Sequence, residues 1–150
     1  MYSRIALGSD HAGFELKQYI KEYLESITEH KLEINDWGCY SEERADYPDF
    51  AHKVASQISE GKADLGILVC GSGNGISMAA NKWKDIRCAL CWNSEITEMA
   101  RLHNDANILS LPGRYISKEE AIKCIDAFLN TEFEGGRHAD RIAKIKIKNV

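Results

Sequence analysis

The chain has 150 residues, 44% of them hydrophobic, enough for one compact domain with its own core and too short for a multidomain machine. Its 19 basic and 23 acidic residues give a formal charge of -4, which argues against a basic nucleic-acid or membrane surface as its main business. Any phosphate contact must therefore be local, made by a few arginines. The five cysteines, Cys39, Cys70, Cys88, Cys91 and Cys124, are odd in number and irregularly spaced. No apolar run approaches a membrane span, and no basic start with an apolar leader precedes the polar Ser9-Asp10-His11. These features predict a soluble, cytoplasmic protein with reduced thiols, needing neither a disulfide framework nor a structural metal.

Residues 4–8 read as a short buried strand that ends at a glycine. Phe14, Leu16, Ile20, Tyr23 and Leu24 follow a helical period, and residues 31–35 alternate as a second strand before the breaker run Asp36-Trp37-Gly38. Pro48 opens a helix with Phe50, Ala51, Val54, Ala55 and Ile58 along one face, and Gly61 closes it. Residues 64–69 form the clearest strand, nearly continuous in apolar character as a parallel strand covered on both faces should be. A glycine-rich turn over residues 71–75 leads to a short helix over 76–81. A fourth strand over 86–91 precedes a helix capped by Asn93 or Ser94 and running toward Leu102. Residues 108–111 make the fifth strand, and Ser117 with Glu120 is a capping-box signature before the helix over 121–129. After Gly135-Gly136 the charged tail spaces Ile142, Ile145 and Ile147 as a last helix. Strands alternating with helices predict a single α/β domain over residues 1–150. It should be a three-layer αβα sandwich, Rossmann-like, with a mainly parallel five-stranded sheet.

Ligands in such folds sit at the carboxyl ends of the strands, where the strand order reverses. The candidate rim is thus residues 9–11, 36–38, 70–75, 92–93 and 112–114. Gly71, Gly73 and Gly75 allow close backbone approach, so the loop is a plausible cradle for an anion or a developing oxyanion. It has no Gly-Lys-Ser/Thr sequence for a nucleoside triphosphate and a poor dinucleotide spacing. Cys70, at the junction of strand and loop, reads as a small buried hydrophobe, a nucleophile or a general base. Cys88 and Cys91 should diverge to opposite sides of a strand, against both a redox pair and a zinc site, and Cys39 and Cys124 read as structural. His30 and His52 read as solvent-exposed. His11 lies where chemistry is expected, His103 and His138 sit in polar runs, and Arg137 and Arg141, four apart, could clamp a phosphate or form an ordinary solvated face.

Taken together, five segments resemble the ribose-5-phosphate isomerase B family, which includes galactose-6-phosphate isomerase subunits and allose-6-phosphate isomerase. They are Gly8-Ser9-Asp10-His11-Ala12-Gly13-Phe14, Asp46-Tyr47-Pro48, Cys70-Gly71-Ser72-Gly73-Asn74-Gly75-Ile76, His103-Asn104-Asp105-Ala106-Asn107 and Glu134-Gly135-Gly136-Arg137-His138. The resemblance implies aldose–ketose isomerisation of a phosphorylated sugar, D-ribose 5-phosphate to D-ribulose 5-phosphate first, with no cofactor and no metal. A six-carbon sugar phosphate is the alternative substrate, and a catalytically silent phosphate-binding protein the more distant one. Cys70 followed by Ile76 matches the branch that uses a cysteine to take the C2 proton.

The same resemblance implies the other roles. The amides of Gly71, Gly73, Asn74 and Gly75 hold the enediolate, and Ser72 helps move a proton between O1 and O2. His103 opens the ring, with Asp10 orienting or assisting. His11, Arg114, Arg137 and Arg141 hold the phosphate, while Tyr47, Asn104 and His138 line or support the pocket. Because His103 falls at the opposite end of the sheet from Asp10 and Cys70, a homodimer with shared sites is expected, able to pair into a tetramer. The tail from about residue 135 should pack on the partner.

Overall fold

The computed structural model describes residues 2–27 and 31–148; the expectation for His30 lies outside them. Strand β3 (Leu65–Cys70) is buried at every position, as its unbroken apolar run requires. It lies between β1 (Arg4–Ser9) and β5 (Ile108–Pro112). Strand β2 (Glu33–Asp36) forms one edge and the three-residue β4 (Cys88–Leu90) the other, giving the order β2-β1-β3-β5-β4. Every pairing among the described residues is parallel, so the sheet goes beyond the mainly parallel one expected. The chain leaves β1 toward β2 on one side and returns to β3 on the other. The strand order therefore reverses between β1 and β3, where the segments beginning at Asp10 and Gly71 emerge together.

Helices cover both faces. On one, α1 (Phe14–Ser26), α4 (Ser94–Asn104) and α5 (Lys118–Asn130) contribute Leu16, Ile20, Ala100, Ile125 and Phe128 to a core with Ile5, Leu7 and Ile67. On the other, α2 (Tyr47–Ser59) and α3 (Asn74–Ala80) place Val54, Ala55, Ile76 and Ala80 against Ala6 and Leu68. This is the three-layer αβα sandwich. Gly13 marks how closely α1 meets the sheet, because a Cβ there would lie 2.3 Å from the Val69 carbonyl oxygen. Backbone cannot give way as a side-chain tip can. Gly13→Ala is expected to cost about 3 kcal/mol, the upper end for overpacking, read as a lower denaturant midpoint at unchanged slope.

Three local expectations need correction. Helix α3 begins at Asn74, not Ile76, because Gly73 adopts φ +76° and serves as its N-cap. Helix α4 runs on to Asn104, so His103 lies in its last turn instead of a loop; Asp105 then ends the helix in the left-handed conformation at φ +44°. The final helix, α6 (Arg137–Ala143), stops before Ile145 and Ile147, which are 60% and 77% exposed. The predicted capping box is half made: Ser117 Oγ accepts the Glu120 N–H at 3.1 Å, but the Glu120 carboxylate accepts the Ser94 N–H at 2.8 Å, tying α5 to the start of α4. Asn93, not Ser94, caps α4, its Oδ1 accepting the Ile96 N–H at 2.9 Å.

The amino end of β1 is fastened to the start of β3 by Asp64, which accepts from the Arg4 guanidinium at 2.7 Å and from the Ser3 and Arg4 amides. The hydrogen bond from Arg4, followed by these amides, holds the Asp64 carboxyl down to about 2 despite opposing desolvation. A depressed carboxylate stabilises the fold above its unfolded value near 3.9, and the benefit is lost as pH falls through 2. The stability gap between the native chain and Asp64→Asn should therefore close between about pH 4 and 2, measured by thermal unfolding. Among the described residues, no helix is long and apolar enough to cross a membrane.

Candidate active site

The reversal in strand order opens into a recess of about 290 Å³ lined by Asp10, His11, Ala12, Tyr47, Cys70, Gly71, Ser72, Gly75, Arg114 and Tyr115. Cys70 ends β3 at the wall of this recess; only 4% of the residue is exposed, yet it borders the open space. Asp10 is also buried. Its Oδ1 accepts the Gly13 N–H at 3.0 Å, which fixes the carboxylate at the entrance to α1. His11 is anchored through Nδ1 to the backbone of Ala45. Arg114 reaches the same recess because its N–H donates to the Gly71 carbonyl at 3.0 Å, and its guanidinium lies beside Gly71.

The glycine loop is shaped by close approach. A Cβ on Gly75 would fall 2.6 Å from the Tyr47 ring, so that ring needs a glycine beneath it. Gly73 is wedged under Leu90 and its carbonyl accepts the Ser110 hydroxyl at 2.7 Å. Ser72 Oγ accepts the Asn74 N–H at 3.3 Å, which commits that amide. The N–H groups of Ser72, Gly73 and Gly75 have no partner among the described residues. The loop can therefore offer donors to an oxygen anion at the recess wall. Gly75→Ala should displace Tyr47 and raise the KM for a ligand of this recess by several-fold, with a smaller change in kcat.

A second recess, about 410 Å³, gathers His103, Asn104, His138, Arg141, Ile142 and Ile145. Helices α4 and α6 stack the His103 and His138 rings at 4.2 Å between centroids and 14° between planes. Glu134 sits across both, its Oε2 3.6 Å from His103 Nε2 and 3.8 Å from His138 Nε2. The backbone sets this up, since the Glu134 N–H donates to the Leu102 carbonyl at 3.1 Å. Burial, then the neighbouring His103, hold His138 below the ordinary imidazole range; Arg137 and Arg141 add to this while Glu134 opposes it. The donor atoms of His103, Glu134 and His138 lie within 4.8 Å of one another. Nearly parallel stacked rings, however, send their lone pairs side by side instead of to one point, so the arrangement does not form a tetrahedral metal centre.

The sequence-predicted site thus divides in two. Asp10, His11, Tyr47, Cys70, Gly71, Ser72, Gly75 and Arg114 meet at the carboxyl ends of the strands. His103, Asn104, His138 and Arg141 meet at the other end of the sheet, where α4 finishes just before β5 begins. Cys70 pairs with Pro112 at the end of β5, while Ile108 at its start pairs with Gly66, so the length of the strand separates the two groups. Arg137 lies exposed at the start of α6, and Gly73 and Asn74 shape the loop without lining the recess. Of the other rim candidates, Asn93 is spent on capping and Asp36 on Lys17.

Sequence reasoning missed several participants. Lys17 is 1% exposed, and its Nζ donates to Asp36 Oδ1 at 2.5 Å and to the Cys39 carbonyl at 2.7 Å, bracing the exit of β2 beside Ser9 and Asp10. A lysine on the apolar stripe of α1 was its only signal. Ala45 and Tyr115 left none, and Glu134 was visible only as part of a motif. Cys91 joins the α1 side of the core and Cys88 packs on the α2 side, as the alternation predicted. Burial pushes both thiols up, Cys91 to about 11, which suits inert core residues. His52 is exposed and accepts from the Trp83 indole N–H at 2.9 Å.

Known proteins share this fold over nearly the whole chain. A ribose 5-phosphate isomerase from Thermotoga maritima is 51% identical, with a TM-score of 0.93 over 97% of this chain and 99% of that one. The Mycoplasma genitalium ribose-5-phosphate isomerase B, solved with bound ribulose-5-phosphate, is 43% identical with a TM-score of 0.90 over 97% and 95%. Ribose-5-phosphate isomerase B of Escherichia coli strain K12 is 43% identical over 142 residues, 95% of this chain and 93% of that protein. The Ribose/Galactose Isomerase family profile matches residues 5–145. Matched along nearly its whole length in sequence and in fold, this chain belongs to the ribose/galactose isomerase family.

Proposed function

We propose that the protein interconverts D-ribose 5-phosphate and D-ribulose 5-phosphate through a cis-enediolate, working in the cytoplasm where its thiols stay reduced. The observation that carries this reading is Cys70 beside unpartnered loop amides in one recess. The C2 proton of an open-chain aldose is too weakly acidic to leave unless the resulting charge is stabilised. Cys70, as thiolate, takes that proton while the amides of Ser72 and Gly75 receive the developing oxyanion. The Ser72 hydroxyl passes a proton between O1 and O2, and the proton held by sulfur is returned to C1. Asp10, with one oxygen fixed on Gly13, orients sugar hydroxyls with the other. His11 and Arg114 hold the phosphate.

Ring opening falls to His103, which lies in the other recess. The proposal therefore includes a homodimer in which one protomer's Cys70 recess faces its partner's His103 recess. Each site would then draw Cys70, Asp10, His11, Tyr47 and Arg114 from one chain. His103, Asn104, His138, Arg137 and Arg141 would come from the other, with α6 packed at the interface. Two of the clamp arginines cross and one does not. Six-carbon substrates differ by one carbon of pocket depth, so the test is catalytic efficiency on ribose 5-phosphate, allose 6-phosphate and galactose 6-phosphate. Ribose 5-phosphate should be preferred; if it were clearly the worst of the three, the substrate assignment would be wrong.

A further inference from the structure

His11 is held by a single residue through both of that residue's backbone groups. Its Nδ1 lies 3.2 Å from the Ala45 N–H, which donates to an unprotonated Nδ1. The same Nδ1 lies 3.1 Å from the Ala45 carbonyl oxygen, which accepts from a protonated one. Both contacts have hydrogen-bond geometry, so the ring keeps a partner in either state without turning. A histidine whose Nδ1 faced only a donor would lose that anchor on gaining a proton there. Nε2 has no partner among the described residues and is the nitrogen left for the recess that His11 lines.

We propose that His11 takes up a proton as the phosphate dianion of the substrate binds, with Ala45 changing from donor to acceptor at Nδ1. This rests on the isomerase reading above and adds a proton to its binding step. The incoming proton comes from solvent. The resulting imidazolium donates from Nε2 to a phosphate oxygen and from Nδ1 to the Ala45 carbonyl. Around the ring, Asp10 favours the cation and Arg114 opposes it; Tyr47, Cys70 and Tyr115 complete the titratable groups of the recess. Arg44 and Asp46, flanking Ala45, carry opposite charges. In the proposed dimer the partner's Arg137 and the partner's Arg141 also oppose the cation, and the two negative charges of the dianion offset them and tip the ring toward the imidazolium.

The test is titration calorimetry of the full-length protein with ribitol 5-phosphate, an acyclic monophosphate with no other ionisable group, at pH 7.5. Run in buffers of different ionisation enthalpy, the binding heat should reveal uptake of about half a proton or more per site. His11→Asn should bind more weakly and lose that uptake. Ring-nitrogen NMR of the native protein gives an independent measurement, with both His11 nitrogens moving to the protonated range on saturation. Binding without buffer dependence, equal uptake in His11→Asn, or a His11 ring left neutral when saturated would overturn the proposal and leave the isomerase reading intact. Absence of binding by the native protein would remove both.

Discussion

Replacing Cys70 by alanine is expected to lower kcat for ribose 5-phosphate by about 10²- to 10⁴-fold, the usual worth of a positioned general base, while ribitol 5-phosphate still binds. The thiol contributes little to holding the ligand, because the phosphate groups and loop amides are separate from it. Steric effects should be small: Cys70 and alanine differ by one sulfur at the edge of a core that includes Ile76 and Leu68. Cys70→Ser keeps the volume more closely and is expected to be nearly as inactive, since an alkoxide is far harder to form than a thiolate. Steady-state kinetics beside calorimetric binding separates loss of chemistry from loss of affinity. Turnover unchanged in Cys70→Ala would remove the base from the mechanism.

Mixing that variant with His103→Ala should restore activity to two otherwise dead proteins. After random exchange of equal amounts, half the dimers are mixed. In each of these, one site combines native Cys70 from one chain with native His103 from the other, while the second site lacks both. The expected recovery is about a quarter of native activity, appearing at the rate of subunit exchange. The structural basis is the separation of the two recesses along β5, with Arg114 in the first and Arg141 in the second. Mass spectrometry of distinguishable chains establishes whether exchange occurred. Proven mixed dimers without activity would reject shared sites.

What could be read from the chain followed the physics of each signal. The unbroken apolar run of β3 and the alternation separating Cys88 from Cys91 depend on local pattern, and both were legible. Helix α3 was placed two residues late because three glycines look like a loop, whereas Gly73 at φ +76° is the cap that starts the helix. Glu120 looked like a capping partner for its own helix, but a carboxylate within reach of the Ser94 amide serves α4 instead, across 26 residues of sequence. The site motifs were recognisable as residue types in order. Their division between the two ends of the sheet was legible too, because His103 follows a helix just before β5 whereas Cys70 ends β3. The His11–Ala45 contact was not, since it depends on a backbone 34 residues away that no side-chain pattern encodes.

The chemistry requires that the sulfur of Cys70 reach the carbon beside the sugar carbonyl while loop amides face the oxygens where negative charge develops. A crystal structure of the protein with an acyclic five-carbon sugar phosphate tests it most directly. Cys70 Sγ should lie about 3–4 Å from C2, close enough for proton transfer, with O1 and O2 turned toward the amides of Ser72 and Gly75 and the partner's His103 at the far end of the sugar. A productively bound sugar whose C2 lies out of reach of that sulfur, with the amides facing solvent, would contradict it.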